Sequence, residues 1–348
     1  MATIKEQGNQ LAAVLPIHYP RELLRAFNIH PIEVWGPPGT DPTSAASHLQ
    51  PYVCSIVRNA LAFQQSGGMD VVDLILVPHA CDSLQGLGSV FLDFIQPRQP
   101  IIPFYLPRGV GDAGKEFLIA ELKRLYIHLK IITGRTPTDN DLLEAVRQEE
   151  RFDKTFSDLY LSREKLDISD FDFYRLIRSR EYLPGDVFSQ LAGHLVEEEE
   201  GDFSGIPLIL SGIVPEPMEI FHAIENFGGR VVADDLACSG RRRYPVGESE
   251  EPFERMADRL LNGPPDWNKG NPIQERLQYL LEMAERSNAR GIIFHSVKFC
   301  EPELFDLPQI RAGVQSQEIP SLVIEVDIND TLSNQTLTRL EAFMEMIS

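Results

Sequence analysis

The chain has 348 residues, 43% of them hydrophobic, and a formal net charge of −20. That length accommodates two α/β units, an insertion and a large core. The acidic balance excludes nucleic-acid and anionic membrane-surface partners, which require basic patches.

Taken in order, Leu11–Leu15 reads as a short apolar strand. Pro20-Arg-Glu-Leu-Leu-Arg-Ala26 follows as a helix start, with Leu23, Leu24 and Phe27 on one face. A second strand is expected at Ile32–Trp35, then a Gly36–Gly39 loop, then one helix from about Ala45 to Gln65 that carries Cys54 and stops at Gly67 and Gly68. Val72–Val77 reads as a buried strand; Pro78-His79-Ala80 leads to Cys81, and Asp82-Ser83 opens a helix over Leu84–Phe94. A strand at Ile101–Phe104 and a long helix at Ala113–Ile132, closed by Gly134, complete this unit.

From Thr136 to about Glu200 no strand signal occurs. Helices are expected from Thr138 toward Lys165, at Phe171–Tyr182 and at Pro184–Val196, with the run Glu197–Glu200 and Gly201 as a solvated helix end. The second unit begins at the strand Pro207–Leu210. Its Pro217-Met-Glu-Ile-Phe-His-Ala223 repeats the Pro-x-Glu, two apolar, x, Ala pattern of residues 20–26. Strands at Val231–Ala233, Gly291–Phe294 and Leu322–Val326 follow, and cysteines fall after the second and third strand of each half. This order reads as an internal duplication. The expected architecture is α/β: two parallel-sheet subdomains over residues 1–135 and 205–348, with a helical insertion over 136–204.

The four cysteines, Cys54, Cys81, Cys238 and Cys300, are too few for a disulfide framework in a chain of this size. Each could be a buried small hydrophobe. Zinc sites draw on closely spaced Cys-x-x-Cys pairs, which this sequence lacks. Dispersed thiolates converging from several loops fit an iron–sulfur cluster better. No run of about 18 apolar residues occurs, so no membrane-spanning helix is expected. Residues 1–9 lack a signal-peptide core, and a cytoplasmic location is expected.

Several motifs carry a resemblance: Pro20-x-Glu22, Cys54-Ser-Ile-Val-Arg58, Ala80-Cys81-Asp82-Ser83, Asp234-Asp235-x-x-Cys238-x-Gly240-x-Arg242, Lys298-Phe299-Cys300-Glu301-Pro302, and Gln335-x-x-Thr338-Arg339-x-Glu341-Ala-Phe-x-Glu345. In this order the chain resembles the 2-hydroxyacyl-CoA dehydratase subunits and the related benzoyl-CoA reductase subunits. The resemblance implies two flavodoxin-like subdomains, an oxygen-sensitive [4Fe-4S] cluster, a homologous second subunit, an acyl-CoA substrate, and a separate ATP-hydrolysing activator that delivers single electrons. It implies Cys54, Cys81 and Cys300 as cluster ligands, with one iron left open. Cys238 is placed outside the ligand set by the family pattern, whereas the duplication alone would include it. The implied reaction is dehydration of a 2-hydroxyacyl-CoA through a ketyl radical. Reduction of an aryl-CoA, or an electron-relay or docking role without catalysis, are the alternatives.

Other residues have two readings. Glu22 is a candidate base, or an acid complementing its helix dipole. Glu301 is a first-turn acid, and His79 either a loop residue or a donor to a cluster sulfur. Lys298 could stabilise a thiolate by charge. Arg241 and Arg242, in the densest basic run, could bind coenzyme A phosphates or lie in a solvated loop. Where many relatives resemble Asn followed shortly by Arg, this chain has Glu149-Glu150-Arg151. No Walker or Gly-x-Gly-x-x-Gly sequence occurs, so the chain is not expected to bind ATP itself.

Overall fold

The apolar runs near Leu11, Leu76, Ile209 and Ile293 become strands with both faces buried, as required when helices cover both sides of a parallel sheet. The computed structural model describes residues 1–109, 111–197 and 204–348. It divides into a first unit of residues 1–154, 181–186 and 244–271, and a second of residues 155–180, 187–243 and 272–348.

The first unit holds β1 (Gln10–Val14), β2 (Ile29–Glu33), β3 (Leu74–His79) and β4 (Ile101–Tyr105), all parallel in the order β2-β1-β3-β4. The second holds β5 (Ile206–Gly212), β6 (Gly229–Leu236), β7 (Gly291–Val297) and β8 (Ser321–Val326), parallel in the order β6-β5-β7-β8. Each order is that of a flavodoxin-like sheet, whose ligands bind where the strand order reverses. The same permutation in both halves is what an internal duplication leaves.

Two expectations are corrected in the first unit. The second strand begins three residues earlier than the sequence suggested, at Ile29, and includes Pro31. Because β2 is an edge strand, the N–H that Pro31 lacks need not cost a ladder hydrogen bond. The single helix expected over residues 45–65 is two elements, a short 3-10 turn at Pro42–Ser47 and a helix at Ser55–Gln65. Pro51 disfavours helical backbone at Gln50 and splits the run, so Cys54 lies at a helix start and not inside one. Pro78 is tolerated within β3 because pairing with β1 ends at Val14 and Leu76.

Capping follows the sequence signals. Gly134 takes φ 70° after the helix Asp112–Thr133, a left-handed C-cap. Thr138 and Asp141 form a reciprocal capping box at the start of the helix Asp139–Leu161. Helices at Asp170–Ser179 and Gly185–Glu197 complete the strandless middle. Of the acidic run expected as a solvated helix end, residues 198–201 lie outside the described residues.

The helices Pro252–Leu261 and Ile273–Arg286 are among those with no counterpart in the sequence reading. The second places Leu280, Met283 and Ala284 on one stripe against Ile209, Ile292 and Phe294, with Ile310 and Val314 closing the core. A fully buried leucine such as Leu280 contributes about 1.5–3 kcal/mol by leaving water.

Candidate cluster site

Three of the four cysteines are the N-cap residues of helices. Cys54 caps Ser55–Gln65, Cys81 caps Asp82–Val90, and Cys300 caps Glu301–Ser316. Cys238 instead sits in a turn two residues past β6, ahead of the 3-10 segment Gly240–Arg242. A sulfur at an N-cap lies where unpaired N–H groups and the helix dipole favour negative charge.

The first unit brings Cys54 and Cys81 together, following the 42–53 turn and β3 respectively. The Leu84 N–H donates to Cys81 Sγ at 3.4 Å. Burial nevertheless pushes the Cys81 thiol up to about 12; the nearby Cys54 adds to this, against the N–H groups of Leu84 and Ser83. A thiol held protonated in this way needs a nearby cation to become a thiolate, and metal loading would release its proton. This donor set fits an iron–sulfur cluster, whose ligands are cysteine thiolates. Among the described residues no group of three or more His, Cys, Asp or Glu is assembled to hold a metal ion.

His79 is a strand residue, the last of β3, rather than part of a loop. It is buried, with its ring 4.3 Å from that of Tyr105, and neither ring nitrogen finds a hydrogen-bond partner among the described residues. Burial and then the Arg124 charge lower its pKa, so the ring is neutral.

Glu22 lies in the first turn of the helix Arg21–Ala26, only 4% exposed. Arg259 Nη1 donates to its Oε1 at 2.9 Å, and Arg259 Nη2 to Asp153 at 2.5 Å. Burial raises the Glu22 pKa, Arg259 opposes this, and Glu149 and Asp153 add to it. The Glu149-Glu150 departure has a structural account: Arg25 donates to Glu149 at 2.6 Å, and Arg255 donates bidentately to Glu150 at 2.9 Å. The Glu33 carboxylate at the end of β2 accepts from Tyr19, Trp35 and Arg21.

In the second unit Phe299 adopts φ 62°, an uncommon conformation for a non-glycine residue, immediately before Cys300. Arg241 is fully buried; it donates to Asp235 and Glu303, each at 2.9 Å, and to the Gly212 carbonyl. Arg276 grips the same two acids at 3.0 and 2.8 Å. The solvated-loop reading of Arg241 is thus corrected, and its charge is committed inside the fold. Arg242 is 9% exposed beside it. Glu303 stands in the first turn of the helix that Cys300 caps, so the arginine pair fixes that turn. Asp234 closes the Cys238 turn by accepting from the N–H of Leu236 and Gly240. A Cβ on Gly240 would meet the Asp234 carbonyl at 2.0 Å, which is why a glycine stands there.

The sequence reading missed a buried polar set in the first unit. His18 Nδ1 is 2.6 Å from the Tyr244 hydroxyl and its Nε2 is 3.4 Å from Asp266. The signal was weak, because these residues lie far apart in sequence and on loops. In the second unit His295 Nδ1 is 3.1 Å from the Val214 carbonyl, and burial lowers its pKa to about 4.

Two parallel flavodoxin-like sheets, with three cysteines at the starts of helices, define an α/β protein. The family model described as 2-hydroxyglutaryl-CoA dehydratase, D-component, matches residues 16–347, and the chain belongs to that family. The (R)-phenyllactyl-CoA dehydratase beta subunit of Clostridium sporogenes is 28% identical, covering 100% of this chain and 94% of that protein. The (R)-2-hydroxyglutaryl-CoA dehydratase subunit beta of Acidaminococcus fermentans is 24% identical, covering 100% and 95%. A benzoyl-CoA reductase subunit of Thauera aromatica is 25% identical, covering 90% and 85%. This is a family of 2-hydroxyacyl-CoA dehydratase and benzoyl-CoA reductase subunits, and the chain is similar to components of such enzyme complexes. Among the described residues no helix is long and apolar enough to cross a membrane.

Proposed function

We propose that the chain is the [4Fe-4S] subunit of an enzyme that dehydrates a 2-hydroxyacyl-CoA, with Cys54, Cys81 and Cys300 as ligands. The observation that carries this reading is that these three cysteines are helix N-caps while Cys238 is not. When bound, such a cluster supplies single electrons and, with three protein ligands, one open iron position.

The chain's own residues would do the rest. The N–H of Leu84 supports the Cys81 sulfur. Arg241 and Arg276 hold Glu303, and through it the first turn that Cys300 caps. Dehydration must remove a hydrogen from the carbon next to the one bearing the hydroxyl. Glu22, desolvated and with a raised pKa, is the proposed base. Large apolar side chains remain exposed beside the cysteine segments, Tyr52 and Phe94 in the first unit and Phe299 and Phe305 in the second. They fit burial against a homologous second subunit. With no Walker sequence here, ATP would be hydrolysed by a separate activator. The similarity to the benzoyl-CoA reductase of Thauera aromatica favours the second reading, a subunit that reduces an aryl-CoA or relays electrons.

The test is iron and sulfide analysis of anaerobically purified protein. About four of each per chain is expected, the content of one such cluster. Alanine at Cys54, Cys81 or Cys300 should abolish it, and Cys238→Ala should retain it. A colourless, iron-free anaerobic protein would overturn the proposal.

A further inference from the structure

The second unit holds a cavity of about 220 Å³, lined by Tyr160, Arg243, Tyr279 and Arg286 and by the β6 residues Val232 and Ala233. That is the share of roughly seven water molecules at ~30 Å³ each, room for one ring, with the exposed Arg286 at the mouth left to meet a phosphate. Ala233 stands three residues before the end of β6. At ~3.3 Å per residue this is about 10 Å back from the carboxyl edge. The β6 lining thus lies behind the turn that carries Cys238, and Arg243 reaches that turn at the Gly240 carbonyl.

Its wall is basic although the chain carries a net charge of −20. Arg243 is half-buried, with its guanidinium carbon 4.9 Å from the centre of the Tyr160 ring. It donates to the Tyr279 hydroxyl at 2.5 Å and to the Gly240 carbonyl at 3.5 Å, and neither partner is a carboxylate. Asp234, the acid that bears on it, is fully buried and accepts from Tyr174, Ser239 and two backbone N–H groups. Arg286 is 70% exposed at the rim, and its ion pair among the described residues is a 3.7 Å contact with Glu282 one turn back. Surface pairs of that kind hold a charge weakly. Arg163 also lines the cavity, but it is paired with Asp170; the lining acid, Glu164, is exposed.

We propose that this cavity binds a phosphorylated ring, the adenosine-phosphate chemistry that coenzyme A and free adenine nucleotides share. The ring would lie against Tyr279 and the Arg243 guanidinium that covers Tyr160, and a phosphate would bridge Arg243 to Arg286. Guanidinium groups suit phosphate by geometry and charge, and aromatic faces accept a base by stacking. Only the coenzyme source rests on the acyl-CoA reading above; the site itself does not.

The experiment is calorimetric titration of the anaerobically purified protein with ADP, coenzyme A and inorganic phosphate. ADP or coenzyme A should bind saturably, weaken with added salt, and exceed inorganic phosphate by about tenfold or more, the worth of one stacked base. Arg243→Gln should weaken binding about tenfold and Arg286→Gln about threefold, the scale of lost charge-assisted hydrogen bonds. Coenzyme A binding tighter than ADP assigns the cavity to the coenzyme's nucleotide end. ADP binding equally or more tightly assigns it to a free nucleotide. The proposal is overturned if neither binds, or if Arg286→Gln, exposed and so expected to fold normally, binds both as the parent does. Iron content of the same samples reports separately on the cluster assignment.

Discussion

Arg241 Nη1 donates to Glu303 Oε1 at 2.9 Å, with the arginine fully buried and the glutamate side chain 9% exposed. Burial alone would raise the Glu303 pKa, but Arg241 and then Arg276 bring it below the ordinary value, so the pair is ionised. Removing one partner leaves an uncompensated buried charge, which typically costs 3–5 kcal/mol. Arg241→Met should therefore lower stability by about 3–5 kcal/mol in chemical denaturation. The double variant Arg241→Met, Glu303→Leu keeps Asp235 paired with Arg276 and should lose less than the two single variants combined, by roughly 0.5–3 kcal/mol.

His295 makes stability depend on pH. Its folded pKa is depressed to about 4 by burial, from an ordinary 6.5. The unfolded chain takes up a proton below about pH 6.5, while the folded chain does not until about pH 4. The contribution is thus present above pH 6.5 and lost as pH falls toward 4. At 1.36 kcal/mol per unit it reaches about 3 kcal/mol. Urea unfolding between pH 7 and 4 should show the parent losing about that much more stability than His295→Gln. Equal losses would remove His295 as the cause.

Metal-free protein gives a test of the cysteine pair. With the Cys81 thiol near 12, about one molecule in ten thousand is thiolate at pH 8. Cys81 should therefore resist iodoacetamide at pH 8 in folded, iron-free protein and react readily once the chain is unfolded in urea. Mass spectrometry of the Cys81 peptide reads this directly. Rapid labelling in the folded state would mean that the capping N–H groups outweigh burial.

Much of this arrangement was legible from local signals. Buried strands announce themselves by composition, and Gly134 and Thr138 mark their helix ends by residue type. The family motifs acquire physical reasons in the structure: Asp234 and Gly240 shape one turn, and Glu303 belongs to the helix that Cys300 caps. Long-range pairing was not legible. Nothing in Arg241-Arg242-Arg243 distinguishes the fully buried Arg241 from Arg243, which faces a cavity. That difference depends on Asp235, Arg276 and Glu303, and the helix carrying Arg276 had gone unread. The position of Cys54 was missed for a local reason, the interruption at Pro51.

Glu22 is the residue whose role is decided most sharply by one substitution. A first-turn acid acting only on its helix dipole would be exposed and worth under about 1 kcal/mol. Glu22 is instead 4% exposed and held by Arg259, with burial raising its pKa. Glu22→Gln keeps the shape and can still accept from Arg259, which retains Asp153 at 2.5 Å. The chain should therefore fold and load iron normally. If Glu22 takes the substrate proton, product formation in a single turnover should fall by roughly 100-fold, the scale of a lost general base. The cluster's spin-resonance signal should meanwhile remain as in the parent. Glu22→Asp, which restores the acid on a shorter stem, should recover part of the rate. Normal turnover in Glu22→Gln would retire Glu22 as the base and leave it the counter-charge of Arg259.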